Sequence, residues 1–490
     1  MTVAPVPSLP PITQAIAGVA LRDPARVAVI DRGRRVSYAM LDGLARRAAA
    51  WALRGGIAPG DRVGIAIRDE FPHLLACLAL LRLGCTQVTL AGHDTPEMQA
   101  ALAARLGVTA VLADEGAAPP PPLPVLRFDA ARIAGDAALA AAVLPDLPPG
   151  AGAFVFPSSG TTGRPKLCLM TEGVMAAQAA ITGGIARVRH RLATNEYSNG
   201  KRLQLQTLSV GGTEVLANNG VGRSLAETCR VFGIERLNLA PNRAARLAEE
   251  AARPGAEPFP GFTTIMIGGG AVPGPVRDAL QRHVTRDLIV SYGCTEAGGI
   301  AMAGPHDHAA HPDSVGRPFP GVDVAIVDEG ARPLPAGVSG LVRVRSAGVV
   351  QGYLDDPALT ARAFRDGWFL PGDVGRFSTD GVLTLEGRVD EMMNLGTIKI
   401  FPAEIEATAE GFPGVAECAA VALRAEAHGD IPVLAVVPGP GFDAASLLAH
   451  CRARLGLRAP RKIVTVPALP RNHQGKVQRV ALAGAVRAAR

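Results

Sequence analysis

The chain has 490 residues, 48% hydrophobic and 19% charged, with 50 Lys plus Arg against 44 Asp plus Glu. That length exceeds the roughly 250 to 300 residues at which one hydrophobic core stops growing, so more than one domain is expected. The basic residues are scattered and aromatics make up only 4%, which excludes the ring-interleaved basic stretches of a nucleic-acid binder and leaves an anionic small substrate, or a solvated surface, to account for the mild positive balance.

Seven cysteines without a C-x-x-C pair suggest neither a zinc site nor a disulfide framework, and so a reducing compartment. The first residues lack a basic region ahead of an apolar core. The longest apolar run, LLACLALL at 74 to 81, is far shorter than the ~18 residues of a membrane span. A cytoplasmic protein without a membrane span is expected.

In chain order, YAMLDGLARRAAAWAL has apolar residues at helical spacing, DRVGIAI reads as a strand, and HLLACLALLRLG is helical again. GVTAVLAD and PPLPVLRF continue as strands, divided by the proline-rich connector EGAAPPPPLP. This alternation predicts β-α units around a largely parallel sheet. From 323, short segments such as VDVAIV, GLVRVRS and GVLTLEG, separated by turn residues, predict a small antiparallel β region attached to that body. After GRVDE at 387 to 391, KIFPAEIEATAE restarts as strand then helix, and CAAVALR and PVLAVVPG follow as strands. A separate C-terminal domain of about a hundred residues is expected.

FVFPSSGTTGRPK at 154 to 166 carries the first chemical signal. Ser158, Ser159, Gly160, Thr161, Thr162 and Gly163 supply unobstructed backbone N–H groups and four hydroxyls, and Lys166 adds a point charge, as close wrapping of a polyphosphate requires. The bland alternative is a glycine-serine turn between strand and helix. The order Arg-Pro-Lys after Gly163 is not that of a Walker A loop.

Four later segments decide between these readings: TTIMIGGGAVPGPV (263 to 276), SYGCTEAGG (291 to 299), PGDVGRFSTDG with GRVDEMMNLGTIKIFPAEIE (371 to 406), and LPRNHQGKVQR (469 to 479). In order and spacing the set resembles the acyl-activating, adenylate-forming enzymes, which include acyl-CoA synthetases, peptide-synthetase adenylation domains and firefly-type luciferases. The resemblance implies a mixed α/β fold: an N-terminal AMP-binding domain over 1–387 with a small β-barrel-like subdomain, a hinge at 388–391, and a mobile α+β C-terminal domain over 392–490.

It also implies roles. The Gly-rich stretch would hold the β- and γ-phosphates of ATP. Gly269, Gly270 and Ala271 would let adenine lie against the backbone, with Tyr292 and Gly293 on its other side. Glu296 would ligate Mg2+, a hard cation that prefers carboxylate oxygen, and Thr295 would donate to the α-phosphate. Asp373 would accept from both ribose hydroxyls, with Arg388 beside the same sugar. Lys476 would bridge the substrate carboxylate and the α-phosphate during adenylation. Asp390 would be the hinge residue, and Gly396 would line the passage for a phosphopantetheine arm.

The implied reaction joins a carboxylic acid to ATP as acyl-AMP, releasing pyrophosphate, and passes the acyl group to coenzyme A; small residues at 297 to 301 leave room for an aryl ring or a medium chain. One alternative is a free-standing adenylation enzyme that loads a carrier protein, and another is a nucleotide- or acyl-binding regulator without catalysis. A monomer or homodimer is expected. The chain departs from the family at 202 to 230, where Thr207, Leu208, Ser209 and Val210 replace a Pro-x-x-His-type motif, and at Glu391 to Asn394, where Ile-Lys is usual. His306, His308 and His311 lie close together, but a polar Pro-Gly surface loop is expected there rather than a metal site. Cys294 is expected to pack rather than react.

Overall fold

Three short strands, Arg62–Ala66, Thr86–Thr89 and Ala110–Ala113, are each followed by a helix or crossover, and the right-handed return that such units favour makes them parallel neighbours. In the computed structural model they form the centre of a six-stranded sheet, flanked by Val125–Arg127 on one side and Ala153–Ser158 on the other. Every contact in it is parallel except the last, where Lys166–Thr171 runs antiparallel to Ala153–Ser158. The structure describes residues 10–91, 94–117, 123–148, 150–158, 166–182, 188–190, 198–395, 398–425, 429–472 and 475–488.

Helix Tyr38–Arg54, capped by the Ser37 hydroxyl accepting from the Met40 N–H at 3.2 Å, packs against helix Glu70–Arg82 over this sheet. Leu74 to Leu81 are all buried. That explains the unbroken apolar run seen in the sequence: the helix is covered on every side rather than on one face.

A second, fifteen-stranded sheet has a parallel centre of Val188–His190, Thr213–Val215, Arg236–Leu239, Thr264–Gly268 and Leu288–Cys294. Beyond Leu288–Cys294 it turns antiparallel through Gly298–Ala303, Ser314–Pro318, Leu383–Arg388, Asp373–Phe377 and Gly340–Arg345. The β region expected after 323 is therefore hydrogen-bonded into the main sheet. This puts the 291 to 299 and 371 to 388 signatures in one sheet, with the strand Ser314–Pro318 between them.

From Met393 onward the chain makes its own hydrophobic clusters, one around Met393, Ile405, Leu434 and Leu447 and one around Val421, Val433, Leu482 and Val486. They are built on Val415–Ala425, antiparallel to Gly429–Pro438, with Lys462–Thr465 parallel on the far side. A large N-terminal part and a small C-terminal part thus each have a core. Glu391, one of the departures noted above, accepts from Arg479 Nε at 3.3 Å, and Arg479 also bonds Glu406 at 2.5 Å.

One expectation is corrected. Residues 305 to 310 form a short helix, Pro305–Ala310, instead of a loop. In it His306 is exposed and His308 is buried, while His311, just beyond its end, meets Asp380 at 3.1 Å, and no metal-binding cluster occurs among the described residues. Thr207, Leu208 and Ser209 lie in the last turns of helix Ser198–Ser209 and Val210 follows it. The Leu208 carbonyl accepts from the buried Tyr38 hydroxyl at 2.9 Å, which makes this stretch part of the core. No helix among the described residues is long and apolar enough to cross a membrane.

Candidate functional site

Asp373 and Arg388 are directly opposed in antiparallel strands, so register alone makes them neighbours. Arg388 Nη1 donates to Asp373 Oδ1 at 3.0 Å, and its Nε donates to Asp390 Oδ1 at 3.0 Å. The Tyr292 hydroxyl donates to Asp373 Oδ2 at 2.5 Å. Burial lifts the Asp373 carboxyl above the usual range, opposed by the Tyr292 hydrogen bond and by the charges of Arg388 and Lys476. Burial, and then the Asp373 charge, pushes the Tyr292 phenol well up, so it keeps its proton and acts as the donor. Sequence-expected residues from two segments thus meet at one carboxylate.

Gly293 sits where the strand Leu288–Cys294 turns back on Gly298–Ala303, and a side chain there would lie 2.2 Å from the Gly298 carbonyl oxygen. Thr295 follows in the turn, and Glu296 is 6% exposed. Glu296 Oε1 accepts from the Tyr353 hydroxyl at 3.0 Å. An oxygen-donor carboxylate so held, beside a segment expected to meet phosphates, fits a Mg2+ ion in hardness and charge. Burial first, and then the Glu296 charge, drives the Cys294 thiol well up.

The small residues at 297 to 301 prove to serve helix packing. A side chain at Gly298 would meet Gln178 at 2.8 Å, and one at Gly299 would meet Thr182 at 2.6 Å. Both partners lie on helix Glu172–Thr182. Gln178 donates to the Gly348 carbonyl at 2.8 Å, filling the space those glycines leave. The room expected there for an acyl group is therefore taken at these two positions. By contrast, Gly269, Gly270 and Ala271 are exposed beyond the strand Thr264–Gly268, and a side chain at Gly269 would meet nothing within 4 Å.

Lys476 is exposed on a turn in which its N–H is accepted by Asn472 Oδ1 at 2.9 Å and its carbonyl accepts from the Asn472 N–H at 2.9 Å. The preceding Gly475 has φ +78 and lies so close to Asn242 that a side chain would come within 2.3 Å of its amide nitrogen. Asn242 opens helix Pro241–Ala251, and the ring of Pro241 lies 3.4 Å from where a side chain at Gly270 would stand. The C-terminal turn is therefore seated beside the Gly269 to Ala271 edge, with the Lys476 charge felt at Asp373.

Ser158 and Lys166 are paired in register at the ends of two antiparallel strands, so the Gly-rich stretch joins strand to strand and not strand to helix. Ser159, Gly160, Thr161, Thr162, Gly163 and Gly396 lie outside the described residues. Two residues at the site carried no sequence signal. Tyr353 and Asn242 stand alone in their segments, and only tertiary packing brings them to Glu296 and Gly475.

Residues 17–354 match the family model described as AMP-binding enzyme, and residues 404–476 match the one described as AMP-binding enzyme C-terminal domain. A feruloyl-CoA synthase of an Amycolatopsis species is 30% identical over 481 residues, covering 93% of this chain and 94% of that protein. An indoleacetate–CoA ligase of Aromatoleum aromaticum is 30% identical over 495 residues, with 93% and 94% covered. Among solved structures, an amide bond synthetase of Marinactinospora thermotolerans superposes with TM-score 0.82 at 26% identity, covering 97% of this chain and 100% of that one.

Proposed function

Because the chain belongs to the AMP-binding enzyme family, we propose that it is an ATP- and Mg2+-dependent acid–thiol ligase that makes an acyl-CoA from an aryl or medium-chain carboxylic acid in the cytoplasm. One observation carries this reading. The Gly475 turn rests against Asn242 and the Lys476 charge reaches the Tyr292–Asp373–Arg388 cluster, the arrangement that adenylation needs and that a passive nucleotide binder has no use for. The two CoA ligases of similar length support the choice of thiol, and with the space at Gly298 and Gly299 filled it is their feruloyl and indoleacetate substrates that support an aryl acid.

In this mechanism Asp373, held ionised by Tyr292 and Arg388, accepts the ribose hydroxyls, and the exposed Gly269 to Ala271 edge receives adenine. Thr295 donates to the α-phosphate. Lys476 holds the substrate carboxylate against that phosphate, bringing two anions together and offsetting charge as phosphorus becomes five-coordinate. Glu296 would hold Mg2+, which when bound neutralises phosphate oxygens and eases departure of pyrophosphate. The carboxylate oxygen bonds to the α-phosphorus as the bond to pyrophosphate breaks. A thiolate then adds to the acyl carbonyl and AMP leaves. For this second step the part beyond Asp390 rotates and withdraws Lys476.

Pyrophosphate release, measured with ATP and Mg2+ against a panel of aryl, fatty, short-chain and amino acids, tests the proposal. The expected result is release that depends on one acid class and falls by orders of magnitude in Lys476→Ala, with an acyl-CoA product when coenzyme A is added. Acyl-AMP without thioester would transfer the function to carrier-protein loading. ATP binding without release on any acid would favour a regulator.

A further inference from the structure

Glu296 and Lys166 belong to different sheets, Glu296 between Leu288–Cys294 and Gly298–Ala303 of the large one and Lys166 at the start of Lys166–Thr171 in the six-stranded one. A single side chain touches both. The Tyr353 hydroxyl donates to Glu296 Oε1 at 3.0 Å, and the Lys166 ammonium stands 5.4 Å from the centre of the Tyr353 ring.

The backbone that carries Tyr353 is fixed from two directions. Leu354 N–H donates to the Leu167 carbonyl at 2.7 Å and Tyr353 bridges Cys168, which lays the segment along the strand that starts at Lys166. On the other side Tyr353 N–H donates to Thr360 Oγ1 at 2.9 Å, on helix Pro357–Ala363, whose N-cap Asp356 accepts from the Leu359 N–H at 2.9 Å. A side chain at Gly352 would lie 2.5 Å from Thr360 Cγ2, so the close approach requires glycine. Burial, with the Glu296 charge second, pushes the Tyr353 phenol far above its ordinary range, so the hydroxyl keeps its proton and the bond to the carboxylate has one direction.

Resting on the adenylating function above, we propose that Tyr353 is a positioning residue that sets the Glu296 carboxylate in register with the phosphate-binding strand end at Lys166. A glutamate on a turn has rotamers to lose when it takes a cation. A hydrogen bond that pins one oxygen removes part of that loss and aims the carboxylate before metal and nucleotide arrive. The ring serves the second partner, because a cation over an aromatic face is held without neutralising it and keeps its charge for phosphate.

The test measures Mn2+ affinity by electron paramagnetic resonance in the ternary complex with a non-hydrolysable ATP analogue, alongside analogue affinity in chelator. Tyr353→Phe keeps the ring and removes the hydroxyl. It should weaken Mn2+ binding about tenfold, as expected for a hydrogen bond to a charged group, and leave metal-free nucleotide affinity unchanged. Tyr353→Leu should in addition weaken metal-free nucleotide binding about two- to fivefold. In a Glu296→Gln background, Tyr353→Phe should have no further effect on Mn2+. Wild-type Mn2+ affinity in Tyr353→Phe, or an equal loss in both backgrounds, would overturn this inference alone. A wild-type protein that binds neither nucleotide nor Mn2+–nucleotide would overturn the adenylation reading with it.

Discussion

Gly475→Ala tests whether the Lys476 turn works by docking against Asn242. Two separate effects are expected. The backbone at 475 has φ +78, where a side chain costs about 1 kcal/mol whatever the domain arrangement. The new methyl group would also stand 2.3 Å from the Asn242 amide nitrogen, but only while the turn is seated on helix Pro241–Ala251. That amide is the end of a short flexible side chain, so relief by an off-rotamer shift costs about 0.5 to 1.5 kcal/mol, which slows the docked reaction about 2- to 12-fold. Single-turnover pyrophosphate release should therefore slow by that factor, while thioester formation from preformed acyl-AMP keeps its wild-type rate. Adding Asn242→Ala should restore the adenylation rate without restoring the melting temperature, since it removes the clash and not the backbone strain. Equal slowing of both half-reactions, or no rescue by the second substitution, would refute the docking argument.

Three further outcomes follow from the site. Asp373→Asn should weaken ATP binding about 10-fold or more, as hydrogen bonds to a charged acceptor become neutral ones. Because the Asp373 carboxyl is raised in the folded protein and binding needs its ionised form, wild-type affinity is full above that raised value and falls as pH drops through it; titration by calorimetry should place this acid limb above the ordinary aspartate range, and the limb should vanish in the variant. Gly293→Ala should disrupt the turn that carries Thr295 and Glu296, since its methyl group would meet backbone oxygen at 2.2 Å, and hydrogen exchange should rise across Gly298–Ala303. Cys294→Ala should retain adenylation, and iodoacetamide at pH 8 should leave Cys294 unmodified, because burial keeps its thiol protonated.

Much of the site was legible because its residues act through local backbone form. A glycine at 293 is needed where two strands fold back, and an Asp-Arg pair at 373 and 388 is made by strand register. Such features leave short ordered signatures, and their order along the chain carried the family resemblance. The small residues at 297 to 301 misled for a related reason. Composition shows that a side chain is absent but not what fills the space, and at 298 and 299 helix Glu172–Thr182 fills it. The histidines at 306, 308 and 311 misled less: a six-residue helix holds the first two, and the third follows its end, where the spacing alone suggested a loop.

By itself the sequence determined the α/β alternation, the restart near 388 and the ordered chemical signatures, since periodicity, turn residues and motif spacing are local properties. Tertiary structure alone decided that the β region after 323 extends the main sheet, that Tyr353 joins Glu296 to Lys166, and that Gly475 seats Lys476 against Asn242. Those contacts join residues dozens to hundreds of positions apart, and they come from the packing of separately formed sheets and helices, which no window of sequence contains.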